Sequence, residues 1–178
     1  RWIGRGDQQH PGVQVFRWDP AKGTMDAQAL DGVQSVVHLA GAGIADKRWT
    51  KARVQELIDS RTRTIDLVRE TAQRTGHLPQ ALVSAAGAGY YGAVAHAHLY
   101  SEADPPGTDT LVHISVAWEA AVDAWRPLCR VVKLRTPMVL AEEGGALPKL
   151  AAPARWGAGS ALGTGEQWVP WVHIDDLV

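Results

Sequence analysis

The sequence has few cysteines, no basic block and no long apolar segment, and each of these absences excludes a class of protein or partner. It contains a single cysteine, Cys129, in an apolar run, so a buried reduced thiol and a cytoplasmic location are expected. The formal net charge is −1 and no basic block occurs, so neither nucleic acid nor an anionic membrane surface is an expected partner. No segment reaches the ~18 consecutive apolar residues of a membrane span, and no signal peptide is expected. The expected partner is a small molecule.

What the sequence does contain is enough apolar material for one globular domain. Its 178 residues are 46% hydrophobic, which suffices for a sizeable core. The chain opens at Arg1 with strand-like residues and stops shortly after Asp176, inside a predicted element. We therefore expect it to be an excerpt of a longer protein.

Short apolar runs alternate with longer amphipathic segments. The runs are typical of buried strands and span residues 13–16, 35–40, 81–84 and 130–134. Apolar residues at helical spacing follow Thr50, an N-cap residue, and stop at Gly76, and a second helical pattern runs from Asp109 to Pro127. Strands joined by crossover helices predict an α/β protein with a parallel sheet covered on both faces.

Residues 87–92 match the G-x-G-x-x-G spelling of a dinucleotide-binding loop. Such a loop requires a helix that opens at the third glycine, then a second strand that ends in an acid about 20 residues on. Gly92 leads instead into a segment with a double proline, so we interpret the match as accidental. A loop at the carboxyl end of a parallel strand is predicted, where Ser84, Tyr90 and Tyr91 supply hydroxyl groups to a ligand crevice.

Seven short blocks carry a family resemblance through their joint order and spacing. They are residues 38–41, 44–49, 59–61, 84–92, 118–121, 134–136 and 171–177. With these blocks the sequence resembles epimerase-like, atypical members of the extended short-chain dehydrogenase/reductase superfamily, over nearly the whole chain. The resemblance implies a Rossmann-like, doubly wound, mainly parallel sheet that lacks its first strand and glycine-rich loop in this chain. Residues 1–178 would form a partial NAD(P)-binding domain, with 141–178 entering the substrate-binding region.

The resemblance also implies NADP, or else NAD, as the cofactor. Arg5 falls where NADP-dependent relatives carry a basic side chain for the 2′-phosphate, although a solvated arginine fits equally. The segment beneath the adenosine and ribose is implied to be His38, Leu39, Ala40 and Gly41. The residues near the nicotinamide are implied to be Thr136, Pro137 and Met138. The alternative for residues 38–41 is an ordinary buried strand end. The alternative for residues 136–138 is an ordinary strand followed by a turn.

Catalysis departs from the superfamily pattern. The usual mechanism uses a tyrosine activated by a lysine four residues later, and these positions fall near Leu111 and Ser115, so neither group is present. Of the usual strand-end hydroxyls, Ser84 remains. Tyr90 or Tyr91 could replace the missing phenol, although a lone tyrosine more often packs with its hydroxyl tied to the backbone.

Two functions stay open on this sequence. One is an NADP-linked oxidoreductase or epimerase of unknown substrate, and the other is a non-catalytic sensor or structural protein that binds the dinucleotide. A metal site is not expected, because His96 and His98 lack cysteine or acidic partners at diagnostic spacing. Trp168 and Trp171 are expected to pack in the core, with the wall of a substrate pocket as the alternative. Nothing in the sequence defines the oligomeric state.

Overall fold

The computed structural model of the chain describes residues 1–6, 11–93, 97–161 and 163–178. The strands are β1 Trp2–Gly4, β2 Val15–Asp19, β3 Thr24–Met25, β4 Ser35–His38, β5 Ala81–Gly87, β6 Arg130–Thr136, β7 Met138–Ala141, β8 Gly144–Gly145 and β9 Trp171–His173. The α-helices are α1 Lys51–Thr75, α2 Thr110–Asp123, α3 Ala146–Arg155 and α4 Ile174–Leu177, and single 3₁₀ turns span Ala27–Leu30 and Ala88–Tyr91. Of the helices in these ranges, none combines the length and apolarity needed to cross a membrane.

The central sheet has the order β4-β5-β6, and all its strands are parallel. Helix α1 connects β4 to β5 and helix α2 connects β5 to β6. Parallel neighbours require such crossovers, because a hairpin reverses the strand direction. The predicted α/β class with a mainly parallel sheet is therefore confirmed.

Both crossover helices begin where their capping residues predict. The Thr50 hydroxyl accepts a hydrogen bond from the backbone N–H of Arg53 at 3.1 Å, and the Asp109 carboxylate accepts one from Val112 N–H at 3.0 Å. These bonds satisfy amide donors that have no partner within a helix. Helix α1 ends at Gly76, whose φ of 74° lies in the left-handed region that a glycine adopts without strain.

Within the part of the chain that the structure describes, the core lies on one face of the central sheet. Ile65 and Val68 of α1 and Val122 of α2 pack with Leu82 of β5, which is completely buried. Both helices share this face because successive right-handed crossovers that move along the sheet in one direction stay on the same side.

The opposite face of the sheet carries apolar residues without a covering layer. Val37, Leu39 and Leu134 are 62%, 71% and 43% exposed. The helix layer that we expected on this second face is not found in the described part of the chain.

A second sheet of order β1-β2-β3 lies beside β4. Strand β2 begins two residues later than predicted and extends to Asp19, because Trp18 and Asp19 pair with Met25 and Thr24 of β3. Residues of β1 and β4 together line a cleft of about 790 Å³.

The carboxyl-terminal segment forms a third sheet, of order β8-β7-β9. It contacts the first half of the chain through Lys149 of α3, which donates to the carbonyl oxygen of Ala45 at 3.1 Å and to Asp46 at 2.9 Å. Trp168 and Trp171 are 74% and 62% exposed, so the prediction that they pack in the core is wrong. Strand β9 pairs with β7 alone, and no described element covers the tryptophans.

Candidate functional site

The turn that carries the tyrosines lies at the carboxyl end of β5. This strand continues to Gly87, three residues beyond the predicted end, and the 3₁₀ turn Ala88–Tyr91 follows directly. Gly87 pairs with Thr136 at the end of β6, so the turn borders the tips of two parallel strands. Gly92 follows this turn as its C-cap and opens no helix among the described residues, so the match to a phosphate-binding loop is indeed accidental.

The glycine within this turn serves packing against α2. A Cβ atom on Gly89 would lie 2.6 Å from Cδ2 of Leu111, which is far too close for two carbon atoms. Leu111 occupies the helix position that the resemblance assigns to the missing phenol. Ser115, at the position of the missing lysine, is buried and donates its hydroxyl to the Leu111 carbonyl oxygen at 3.0 Å. Near the positions that the resemblance assigns to the superfamily's proton-transfer pair, the chain therefore carries two packing residues, and the tyrosine turn lies against Leu111.

Arg135 of β6 is the centre of a polar network beneath the turn. Its Nε and Nη2 donate to the two carboxylate oxygens of Glu119 at 2.7 and 3.0 Å. Its Nη1 donates to the Tyr91 hydroxyl at 2.8 Å, and its guanidinium carbon lies 3.6 Å from the centre of the Tyr90 ring. Neither Arg135 nor Glu119 is predicted as a site residue from the sequence, although both belong to blocks that carry the family resemblance.

The Glu119 carboxylate is kept ionised by its neighbours. Burial acts to raise the pKa of Glu119, but hydrogen bonds and positive charge from Arg135 and Lys133 outweigh burial, and the pKa lies below its ordinary value. The ammonium of Lys133 is 2.9 Å from Glu119 and 3.0 Å from Asp123. Burial lowers the pKa of Lys133, yet its bonds to both acids raise it overall. With Arg126, which pairs with Asp123 at 2.8 Å, the network joins three cations to two anions.

The two adjacent tyrosines have different surroundings. The Tyr91 hydroxyl donates to the carbonyl oxygen of Ser101 at 2.8 Å while accepting the bond from Arg135, and its ring packs on Tyr100 with centroids 4.6 Å apart. Tyr90 meets the Tyr91 ring edge-on, with centroids 5.4 Å apart. Within the described residues, the Tyr90 hydroxyl makes no hydrogen bond.

Ser84 lies on the covered face of the sheet and forms no hydrogen bond with either tyrosine among the described residues. It is fully buried and donates to the carbonyl oxygen of Ala85 at 2.9 Å. Its oxygen lies 3.4 Å from Nδ1 of His38, whose Nε2 lies 2.9 Å from the Thr64 hydroxyl. Burial, and then the charge of Arg61, lower the pKa of His38 to about 4, so this imidazole is neutral in the folded chain near pH 7.

The residues proposed to contact the cofactor fall into two groups. Arg5, His38, Leu39 and Ala40 all line the cleft between β1 and β4. The second group is at the tip of β6: Thr136 donates its hydroxyl to the Ala86 carbonyl oxygen at 3.2 Å, Pro137 follows, and Met138 begins β7.

Gly41 makes its close contact with a protein side chain. A Cβ atom on it would lie 3.0 Å from the guanidinium carbon of Arg61. Arg61 is 6% exposed, donates to the carbonyl oxygens of Leu57 and Ala42 at 2.9 and 3.1 Å, and lies 5.0 Å from the centre of the Trp118 ring. Because Gly41 has no side chain, the buried Arg61 of α1 can approach the segment that follows β4 and bind its backbone.

No metal centre is evident in the described ranges, where no group of three potential ligands comes together. His98 forms an ion pair with Asp104 at 3.0 Å. His96 lies outside the described residues.

The comparison with protein-family models adds an independent line of evidence. The model of the NAD dependent epimerase/dehydratase family matches residues 19–178. The chain belongs to this family.

Relatives of this epimerase-family chain support the assignment. An epimerase family protein of Mycobacterium bovis is 35% identical over 166 residues, which are 93% of this chain and 54% of that protein. The crystal structure of human epimerase family protein SDR39U1 with NADPH matches with a TM-score of 0.77 at 30% identity, covering 98% of this chain and 57% of the human one. The nucleoside-diphosphate sugar epimerase of Corynebacterium glutamicum matches with a TM-score of 0.74 at 26% identity, covering 93% of this chain and 37% of the other.

The Rossmann-like fold that the resemblance implies is confirmed by these structural matches. The chain spans about half the length of the curated relatives that it matches, 54% for the mycobacterial protein.

Proposed function

We propose that this chain forms the cofactor side of an NADP-linked oxidoreductase or epimerase that acts on a small molecule, with NAD as the alternative cofactor. The observation that carries the proposal is the position of Arg5 and residues 38–40 at the carboxyl ends of β1 and β4, on one shared cleft. The match to a human relative that was crystallised with NADPH supports it.

The residues of the cleft fit a phosphorylated dinucleotide. Arg5 is exposed directly after β1, where its guanidinium could pair with a 2′-phosphate in a planar, bidentate manner. Arg5 and Leu39 directly follow the carboxyl ends of β1 and β4, and the carboxyl ends of strands are where open α/β folds bind their ligands. Arg5 would bind the 2′-phosphate, and Leu39 and Ala40 would lie against the adenosine.

The chemistry that this chain itself would contribute is proton transfer. Oxidation of a carbinol releases a hydride from carbon and a proton from oxygen, and a nicotinamide, when bound, would accept the hydride. We assign the proton transfer to the Tyr90 oxygen, which would take the proton as a phenolate in oxidation and return it as a phenol in reduction, because the Tyr91 hydroxyl is already engaged with Ser101 and Arg135. Ser84 contributes less directly, because its hydrogen-bonding groups face His38 and the backbone.

Cofactor preference tests the cleft. Arg5→Gln in the full-length protein should weaken NADPH binding by about tenfold or more while leaving NADH binding unchanged, because a charge-assisted bond contributes about 1.5–3 kcal/mol. Titration of cofactor fluorescence gives both dissociation constants. Lys22→Gln, an exposed change of the same charge, is the matched control. Equal loss of NADPH and NADH binding would refute the assignment of Arg5.

Turnover tests the tyrosine. Tyr90→Phe should abolish hydride exchange with a panel of nucleotide-sugar and carbonyl substrates and should leave NADPH binding intact. Tyr91→Phe should retain measurable turnover. Unchanged rates in the Tyr90 variant would remove it from the mechanism.

A second function is favoured by one specific observation. Leu111 and Ser115 fill the superfamily's proton-transfer positions with packing contacts, as expected for a protein that binds the dinucleotide as a sensor or structural ligand. Tight NADPH binding without exchange on any substrate would select this function. We also propose a cytoplasmic location, which the single cysteine, unpaired in the structure, supports.

A further inference from the structure

We propose that Arg135 is a positioning residue that gives the two adjacent tyrosines different roles. It holds Tyr91 as a fixed support and lies against the ring of Tyr90, whose hydroxyl stays available for proton transfer. This inference rests on the proposed function, in which Tyr90 exchanges the proton.

The orientation of Arg135 is fixed by its own hydrogen bonds. All three guanidinium nitrogens donate: two to Glu119, at 2.7 and 3.0 Å, and the third to Tyr91 at 2.8 Å. A planar fork bound in this way cannot rotate without breaking charge-assisted bonds. These three hydrogen bonds therefore fix the position of the Arg135 guanidinium group.

The anchor of the fork, Glu119, is itself buried and bound by a second cation. Glu119 is 4% exposed, and its carboxylate also binds Lys133 at 2.9 Å. Glu119 belongs to α2, the helix on which Leu111 and Ser115 replace the usual tyrosine and lysine. Helix α2 thus still helps to place a positive charge beside a phenol. Its Glu119 binds Arg135 of β6, and Arg135 contacts the two tyrosines.

The hydroxyl groups of Tyr90 and Tyr91 differ in the hydrogen bonds that they form. A phenol has one proton to donate, and Tyr91 donates it to the carbonyl oxygen of Ser101 while accepting from Arg135. Proton transfer by Tyr91 would first require this arrangement to break. Tyr90 has no such engagement among the described residues, and the guanidinium lies 3.6 Å from its ring centre. A positive charge on the face of the ring stabilises the negative charge that develops there when the hydroxyl gives up its proton.

Nitration of tyrosine by tetranitromethane, followed by peptide mass mapping, tests the difference without any substrate. In the full chain, Tyr90 should be nitrated several-fold faster than Tyr91, because the reagent attacks the phenolate, whereas Tyr91 donates its proton to the Ser101 carbonyl oxygen and packs its ring on Tyr100. Arg135→Met should bring the two rates close together. Arg135→Lys should give an intermediate ratio, since the charge is kept and the fork is lost.

The control separates Arg135 from the rest of the network. Lys133→Met removes the other cation from Glu119, and Lys133 contacts neither tyrosine, so the nitration ratio should be kept. If Arg135→Met fails to fold, as judged by circular dichroism, Glu119→Gln should still lower the ratio by weakening the fork. Equal nitration of Tyr90 and Tyr91 in the unmodified chain overturns the proposal, whatever the variants do.

Failure of this inference and failure of the proposed function give different results. A chain that shows the unequal nitration but never transfers hydride would keep the role of Arg135 and refute the enzyme. A chain whose turnover requires Tyr90, but whose two tyrosines react equally, would keep the enzyme and refute the role of Arg135.

Discussion

The two faces of the central sheet differ sharply, although the same strands build both. On one face Leu82, Ser84 and His38 lie beneath α1 and α2 and are almost completely buried. On the other, Val37 and Leu39 are more than half exposed. Among the described residues, α1 and α2 pack on one face of the sheet, and that face supplies most of the packing energy that these residues provide. The covered face can hold a fixed polar network, whereas side chains of the open face have few described neighbours to hold them.

The largest expected effect compares the same substitution on the two faces. Leu82→Ala removes a completely buried side chain from the core and should lower the free energy of unfolding by about 2–5 kcal/mol. Leu39→Ala, at a position that is 71% exposed, should change it by less than about 0.5 kcal/mol. Urea unfolding of both variants measures the difference. Similar losses at the two positions would show that the open face is covered in solution.

Between about pH 6.5 and 4, a pH effect on stability should arise on the covered face. Burial, and then the charge of Arg61, lower the pKa of His38 from 6.5 to about 4. Between these two pH values, His38 binds a proton in the unfolded chain but stays neutral in the folded chain. The stabilisation is complete above about pH 6.5 and is lost as the pH falls towards about 4, by about 3 kcal/mol at most. Urea unfolding across this pH range checks the prediction.

His38→Gln should flatten the stability profile in this range, because glutamine keeps hydrogen-bonding groups near Thr64 and Ser84 but does not titrate. His113→Gln changes an exposed histidine of α2 and should leave the profile unchanged. A wild-type profile that is flat between about pH 4 and 6.5 would contradict the burial of a neutral His38.

Local signals explain how much of the fold was predictable from the sequence. Thr50, Gly76 and Asp109 mark the helix ends because caps depend on a few neighbouring residues. Alternation of strands and helices predicts the parallel sheet, but it does not say which side each helix takes. The bare face around Leu39 therefore came only from the structure.

The candidate site was predictable in position and not in its electrostatics. The tyrosine turn lies at a strand tip, as the order of elements predicts. The cation beneath it is Arg135, 44 positions from Tyr91 in the sequence, and no local pattern joins the two. Arg61 is similar: its buried bond to the backbone of Ala42 spans 19 positions. Contacts of this kind depend on which strand ends become neighbours, which spacing alone does not define.

The smallest expected effect concerns the N-terminal cap of α1, one of the two helices that cover the sheet. The Thr50 hydroxyl caps α1 through the N–H of Arg53, so Thr50→Ala should lower the free energy of unfolding by about 1 kcal/mol. Thr50→Ser keeps the hydroxyl and should cost a few tenths of a kcal/mol at most. Hydrogen exchange should rise in the first turn of α1 in the alanine variant and stay unchanged in β4, since a frayed turn does not uncover the strand. Faster exchange throughout β4 would instead mean that the two faces of the sheet open together, and that the covered face depends on its helix cap as much as on its buried leucines.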